Sequence, residues 1–344
     1  MATVSAADPA AKLNDDDVAA INRLGGVYQR LKKELGRVII GQEETIERLT
    51  ICLFARGHAL LMGVPGLAKT LLVSKLAETV SLKFNRIQFT PDLMPMDITG
   101  TDILQETADG RREFHFVPGP VFANIVLADE INRAPPKTQA AMLEAMQEHK
   151  VTVVGKTSQL DPPFFVLATQ NPVEQEGTYP LPEAQLDRFM FLIELDYPNE
   201  EEEVMIARST TGNSIPSLEH VLNAAEIIDY QQIVRRVPVP DHIYHFAAKL
   251  VRKTRPRGET APAWLKPLVS WGAGPRAVQN LILGAKSRAA LAGSYMVRLE
   301  DIESVATPVL THRLITTFAA QAEGIDAKQI VGRLVKETVA EQVG

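Results

Sequence analysis

Residues 57–72 read GHALLMGVPGLAKTLL. Within them GVPGLAKT, Gly63 to Thr70, follows the phosphate-cradling pattern G-x-x-x-x-G-K-[ST], except that Ala68 stands where the second glycine belongs. Such a loop works when it leaves a buried strand and opens a helix, because the free N–H groups of the first helical turn then face the phosphates. Both flanks are present. ALLM, from Ala59, reads as a strand, and KTLLVSKLAETV reads as a helix with Leu72, Val73, Leu76 and Val80 on one face. The pattern wraps Gly63, Val64, Pro65, Gly66, Leu67 and Ala68 around the phosphates. It sets Lys69 on the β- and γ-phosphates and the Thr70 hydroxyl on Mg²⁺. At the helix entry a negative φ is expected for Ala68, where alanine costs no strain, so this residue does not by itself mark the loop as decayed.

Four further apolar runs follow the first: FNRIQF from Phe84, NIVLA from Asn124, FFVLA from Phe164 and FMFLI from Phe189, with helical segments between several of them. This alternation predicts an α/β core, a five-stranded mostly parallel sheet covered by helices. Ahead of it, Val18, Ile21, Leu24, Val27 and Leu31 keep helical spacing, and residues 1–20, small and acidic, read as a mobile arm. The core is expected over residues 21–200. Residues 201–220, rich in glutamate and turn formers, begin as a charged helix and end as a linker. Residues 221–342 carry helical periodicity without a succession of strands and predict a small all-helical lid domain.

A second chemical signal lies in NIVLADE. Asp129 and Glu130 follow a buried strand, at the edge where open α/β sheets bind ligands. There Asp129 suits a Mg²⁺ shell and Glu130 suits the polarising of an attacking water; both also suit the cap of the helix in PPKTQAAMLEAMQEH. FFVLATQNP ends its strand in Thr169, Gln170 and Asn171. A polar side chain there lies beside the strand that carries Asp129 if the two strands pair, and can hydrogen-bond the attacking water or the γ-phosphate, although Asn-Pro on its own reads as a turn. His242 and His245 are spaced i, i+3 beside Asp241, but no further ligand stands out for a zinc site.

The chain has 344 residues, 45% of them hydrophobic and 23% charged, enough for a large domain and a smaller one. Its single cysteine, Cys52, excludes an intramolecular disulfide and sits in the apolar run LTICLFA, which fits a reducing compartment. No run of 18 apolar residues and no signal-like start is present, so a cytoplasmic protein without membrane insertion is expected. Thirty-six basic against 42 acidic residues give a net charge of -6, which opposes non-specific attraction to nucleic acid.

Four stretches in order, GVPGLAKT, LADEINRAPPKTQAAMLEAMQE, ATQNPVEQEGTYPLPEAQLDRFMF and GPRA, resemble the MoxR family of AAA+ ATPases, from about Leu24 to Leu314. An alanine at position 68 is the form that family's loop takes. The resemblance implies a P-loop AAA+ core of five strands with a helical lid, ATP and Mg²⁺ as cofactors, and ATP hydrolysis. Ile40 and Gly41 in IIGQEE match the segment over the adenine. Residues 91–121 match the helix-2 insert, where Asp109-Gly110 between Ile103 and Phe114 independently suggests a hairpin turn. Residues 151–160 match the hairpin before the sensor-1 strand. Asn171 matches sensor 1, Arg188 in LDRF the arginine finger, and Arg276 in GPRA sensor 2; Arg255 falls where the family carries a Thr-Arg pair. Read alone, Arg188 suits a surface ion pair with Asp187 or Glu183, and Arg276 a helix cap.

The resemblance further implies a homo-oligomer, a hexameric ring, that remodels or matures client proteins with a von Willebrand factor A-domain partner, in some cases inserting a metal cofactor. Two other readings stand beside it: a nucleic-acid motor of the helix-2-insert clade, and a chelatase-like motor subunit of low basal turnover.

Overall fold

The computed structural model describes residues 13–106, 112–173, 177–212 and 216–343. They divide into two compact units, Arg30–Ile228 and the residues on either side of that span. The first unit contains, in chain order, β1 (Ala59–Met62), β2 (Phe84–Gln88), the hairpin β3 (Gly100–Glu106) and β4 (Arg112–Pro118), β5 (Ile125–Asp129), the hairpin β6 (Lys150–Val153) and β7 (Lys156–Gln159), β8 (Phe165–Gln170) and β9 (Phe191–Glu194). Five of these form one parallel sheet in the order β2-β5-β8-β1-β9. All five apolar runs of the sequence are strands of it. The unbroken apolar runs of the inner strands follow from burial on both faces, complete in β5, where every residue of IVLAD is buried, whereas the edge strand β2 alternates.

Helix α1 (Asp15–Leu35) belongs to this unit only from Arg30 onward, and helices α2 (Glu43–Phe54), α3 (Lys69–Thr79), α4 (Pro95–Thr99), α5 (Pro136–Glu148), α6 (Glu183–Leu186) and α7 (Glu200–Thr210) accompany these strands. On one face of the sheet Leu60, Val126, Val166 and Ala168 pack with Met142, Leu143 and Met146 of α5. Helix α3 contacts β2 and β5. Helix α2 buries Cys52 together with Ile46, Leu49 and Leu53.

Because the chain leaves β1 for the far edge strand β2 and then fills the gap with β5 and β8, the strand order reverses beside β1. The carboxyl ends of β1, β8 and β5 therefore open one crevice, the usual ligand position of open α/β sheets. The opposite end is closed by neutral hydrogen bonds. His58, buried before β1, accepts the Val166 N–H on Nδ1 at 3.0 Å and meets the Met146 carbonyl through Nε2 at 3.0 Å. Burial is the main cause that lowers its pKa to about 4, so the ring is neutral. Asn124, before β5, donates to the Pro163 carbonyl at 3.2 Å and receives the Phe165 N–H on its own carbonyl at 2.7 Å.

Three expectations change. Residues 1–12 of the expected arm lie outside the described residues, but the remainder is helix. Asn14 Oδ1 accepts the Asp17 N–H at 2.7 Å, three aspartates occupy the positive end of α1, and buried Asp17 pairs with Arg236 at 2.7 Å. Residues 201–220 begin as the expected charged helix, α7, started by a capping box in which Asn199 Oδ1 accepts the Glu202 N–H and the Glu202 carboxylate accepts the Asn199 N–H, but the expected linker is packed. After it Leu218, Val221 and Leu222 are buried, and the Val221 N–H reaches the Thr79 carbonyl at 2.7 Å. In the expected insert, β3 and β4 pair from Gly100↔Pro118 to Glu106↔Arg112, while Asp109 and Gly110 lie outside the described residues.

The second unit is helical: α1 as far as Gln29, α8 (Ala224–Arg236, from Asp229 onward), α9 (Asp241–Lys253), α10 (Pro275–Leu291), α11 (Leu299–Leu310), α12 (Phe318–Ala322) and α13 (Ala327–Val343). Helix α10 packs on α9 and α11, and α13 packs on the same two. A two-stranded antiparallel ribbon, β10 (Val269–Trp271) with β11 (Ile315–Thr316), is too short to leave a pattern in the sequence.

Candidate functional site

The phosphate loop leaves β1 into a tight space. A side chain on Gly63 would come within 2.9 Å of Leu195 Cβ, which explains why this position holds glycine. Gly66 has φ +91 and Ala68 has φ 53 with ψ 27, both left-handed. The second value corrects the expectation of a negative φ at Ala68. Alternating hand along the loop turns successive N–H groups toward a common point, the geometry of an anion nest, and a right-handed residue at 68 would break that alternation. An alanine in this conformation costs about 1–2 kcal/mol that glycine would not.

Lys69, the first residue of α3, lies back across the loop, its Nζ donating to the Gly63 carbonyl at 2.6 Å. Burial holds its ammonium below the usual lysine range, while the charges of Asp129 and Glu130 act in the opposite direction. Thr70 follows, half-buried, in the first turn of α3.

Asp129 ends β5 and is buried. Its Oδ1 accepts the Thr169 hydroxyl at 2.6 Å, and its Oδ2 accepts Arg86 Nε at 2.9 Å and a terminal Arg86 nitrogen at 2.6 Å. Glu130 is left-handed, φ 55 and ψ 50, with its N–H on the Thr169 hydroxyl oxygen at 2.8 Å. Its Oε2 accepts from Gln88 and from Arg133, each at 3.0 Å. The structure thus gathers Lys69, Asp129 and Glu130 and adds Arg86, Gln88, Arg133 and Thr169. Thr169 is the strand-ending residue that meets Asp129. Asn171, buried two residues later, turns its Oδ1 onto the Val173 N–H at 3.1 Å and so closes a local turn.

Beside the loop a cavity of about 510 Å³ is lined by Ile40 and Gly41, by Pro65, Gly66, Leu67 and Ala68, by Tyr197, and by Ile206, Ala207 and Thr210 of α7. Gly41 has φ +72, and a side chain there would fall 2.4 Å from the Glu202 carboxyl carbon. Gln42 in the same wall donates to the Leu67 carbonyl at 3.2 Å, while its Oε1 is buried without a hydrogen-bond partner. An apolar slot with an unsatisfied acceptor, next to an anion nest, fits a nucleotide: base in the cavity, phosphates over the loop. A hydroxyl at Thr70 and a carboxylate at Asp129 are the oxygen donors that Mg²⁺ takes together with phosphate and water.

The two remaining candidates lie elsewhere. Arg188 precedes β9, at the sheet end that holds His58, and donates to the Leu143 carbonyl of α5 at 2.9 Å. With Phe191 opposite Ala59 in the register, Arg188 sits at the other end of the strands from the loop. Arg276 is exposed in the first turn of α10, in the second unit. A cation there opposes the helix dipole, so its own helix gives it no reason to be positive. Among the described residues no group of three or more His, Cys, Asp or Glu is placed to hold a metal, His242 and His245 included. None of their helices is long and apolar enough to cross a membrane.

Loop, acids and base cavity on a parallel sheet, with a separate helical unit, define a P-loop nucleotide-binding protein of the two-domain kind. Residues 58–191 match the ATPase family associated with various cellular activities (AAA), and residues 263–334 match the AAA lid domain. The chain is 43% identical over 310 residues to chaperone MoxR1 of Mycobacterium tuberculosis, covering 90% of this chain and 81% of that protein. It is 43% identical over 304 residues to the uncharacterized protein YeaC of Bacillus subtilis (88% and 91%), and 30% identical over 335 residues to protein MoxR of Methylorubrum extorquens (89% and 92%). A crystal structure of a candidate ATPase from Cytophaga hutchinsonii superposes with a TM-score of 0.86 at 41% identity, over 92% of this chain and 96% of the other. The chain belongs to the MoxR family of AAA+ ATPases.

Arg86 and Gln88 were recoverable from FNRIQF, where Ile87 and Phe89 are buried and the polar residues alternate with them. The α7 wall of the cavity carries no motif. Its glutamates hide a short apolar face, Ile206 and Ala207, that only the fold turns toward the loop.

Proposed function

We propose that this protein binds Mg²⁺-ATP in the crevice and hydrolyses it to ADP and phosphate. The observation that carries this reading is the convergence, at one end of the sheet, of the anion nest, Lys69 and the Asp129–Glu130 pair beside a cavity of base size. When bound, the magnesium ion neutralises phosphate charge. Loop N–H groups and Lys69 hold the β- and γ-phosphates, and Thr70 and Asp129 supply oxygen donors to the ion. Ile40, Gly41 and the α7 side chains exclude water from the base. Glu130, whose backbone Thr169 fixes, takes the proton of the attacking water. Asn171 lies close enough in sequence to Thr169 to serve the same edge.

Arg188 sits at the wrong end of the strands to reach its own loop, which supports a role on the phosphate of a second copy. Head-to-tail packing of that kind closes into a ring, by resemblance a hexamer. Arg276 brings a cation from the lid unit, and a change of nucleotide then shifts the two units against each other. That motion drives chaperone-like remodelling or maturation of client proteins, metal-cofactor insertion among the possible tasks, with a von Willebrand factor A-domain partner. We place the protein in the reducing cytoplasm, in keeping with its one buried thiol. Phosphate release from ATP by purified protein, measured against protein concentration, tests the reading. A rate per subunit that rises as rings form supports it, and no Mg²⁺-dependent hydrolysis at any concentration, alone or with co-purified partners, rejects it.

A further inference from the structure

Asp129 carries one negative charge in a buried position, and something must balance it before any metal arrives. Arg86 does so. Its side chain is 47% exposed whereas that of Asp129 is 11% exposed, so the guanidinium reaches down to the carboxylate with its far side in water. Both of its contacts fall on Oδ2 alone, while Oδ1 is held separately by Thr169. Removing Arg86 therefore leaves the carboxylate oriented but without its contact cation, with the charge of Lys69 still acting on it. Arg86 belongs to β2, the edge strand, where a long side chain can swing outward without crossing the core. It also donates to Gln88 Oε1 at 2.5 Å, and Gln88 in turn donates to Glu130 Oε2. Both acids of the site are thus tied to one strand through one arginine.

We propose that Arg86 is a resident counter-cation of Asp129, displaced when the divalent ion binds, so that the metal requirement of the site is set by exchange between two cations. The proposal rests on the Mg²⁺-nucleotide reading above and adds a positioning residue to it. A half-exposed ion pair opens at low cost, and the incoming ion supplies the charge that the departing guanidinium takes away. With Arg86 away, Gln88 loses a donor to its carbonyl oxygen and its hold on Glu130 loosens. The chain runs from Gln88 through Phe89, whose N–H is bonded to the Asp129 carbonyl at 2.9 Å, into α4 and the β3–β4 hairpin. Exchange at Asp129 is therefore felt first by the strand that leads into the insert.

The test is an equilibrium one. Binding of a fluorescent ADP analogue is followed across a Mg²⁺ titration, and Mn²⁺ binding in the presence of ADP is followed by electron paramagnetic resonance. For Arg86→Ala the divalent concentration at half-saturation falls about tenfold, the size expected for releasing a partly buried charged hydrogen bond. Nucleotide affinity in EDTA stays within about twofold, and Arg86→Lys lies between the two. In an Asp129→Asn background the effect of Arg86→Ala disappears. If Arg86→Ala does not fold, Arg86→Gln, which can still donate to Asp129 but carries no charge, must show the same tenfold fall. An unchanged or raised metal requirement in the folded variants, against a wild type with normal metal-dependent binding, overturns the exchange and leaves Arg86 a fixed partner. A wild type whose nucleotide binding ignores metal overturns this proposal and the reading beneath it together.

Discussion

The two ends of the five-stranded sheet are built from the same strands by opposite rules. At the amino end the polar side chains hold backbone groups: His58 uses both ring nitrogens on them while staying neutral, Asn124 stitches β5 to the segment before β8, and the cation Arg188 rests on the Leu143 carbonyl. At the carboxyl end the groups are charged and have exchangeable partners. Lys69 rests on a loop carbonyl, Asp129 on Arg86, and Glu130 on Gln88 and Arg133. Ala68 and Glu130 are held left-handed there, but so are Arg56, Ser81 and His149 near the amino end, so it is gathered charge and not backbone hand that separates the two ends. Fixed bonds to backbone groups favour folding; gathered charged groups favour a ligand that replaces their temporary partners. The difference teaches where to look for chemistry in a sheet whose inner strands are apolar until their last residues.

This contrast can be broken by substitution, and the largest effect is expected at the carboxyl end. Glu130→Gln is expected to lower turnover by about 10²–10⁴-fold while Mg²⁺-ATP binding is retained, as read by phosphate release and calorimetry. Lys69→Ala is expected to weaken nucleotide binding by about 100-fold with little change in thermal midpoint, since a charge-assisted contact to phosphate is lost and the fold loses one loop hydrogen bond.

The amino end is expected to respond through stability. Folded His58 has a pKa of about 4 against 6.5 for the ordinary side chain, so between these values the unfolded chain binds the extra proton. The stability this histidine contributes is therefore complete above pH 6.5 and is lost as pH falls toward 4, by about 3 kcal/mol in all. His58→Gln is expected to remove that part of the pH dependence in urea titrations at pH 7 and pH 4.5. An identical slope in both proteins would show that the amino end titrates through other groups.

Thr169→Val sharpens the comparison at the border between fold and site. It strands the Glu130 N–H and one oxygen of Asp129, and is expected to cost about 1–3 kcal/mol in denaturant unfolding. Ala68→Gly is the smallest, a gain of under about 1 kcal/mol, because relief of the left-handed strain is partly offset by the greater freedom of glycine in the unfolded chain. A loss of stability in Ala68→Gly would mean that the loop is not strained.

The inner strands were legible because burial on both faces leaves unbroken apolar runs, the edge strand β2 because its buried residues alternate with polar ones, and the loop because its residue types are dictated by phosphate geometry. Glu130, Asp129 and Lys69 could be placed from the edge at which their strands must end. The hand of Ala68 could not, since an alanine at a helix entry adopts a negative φ unless the turns before it demand otherwise. Nor could the choice of Thr169 over Asn171 as the partner of Asp129, which depends on a register of two residues between β5 and β8. The charged start of α7 was legible, but its glutamates mask the Ile206–Ala207 face that lines the cavity beside the loop. At the start of α1 the same composition misled in the other direction, because three acids suit a helix N-terminus as well as a solvated tail.

Cys52 has a practical consequence. It is the only thiol of the chain, fully enclosed in α2, and burial pushes its pKa well above the ordinary range, so it stays unreactive toward maleimides while the protein is folded. A cysteine introduced at Val154, the 80% exposed tip of the β6–β7 turn, would then be the one labelled position per subunit without any prior cysteine removal. Dyes placed there would report distances between copies in an assembly and count subunits by stepwise bleaching. Slow labelling of Cys52 itself would serve as a clock for transient opening of the core.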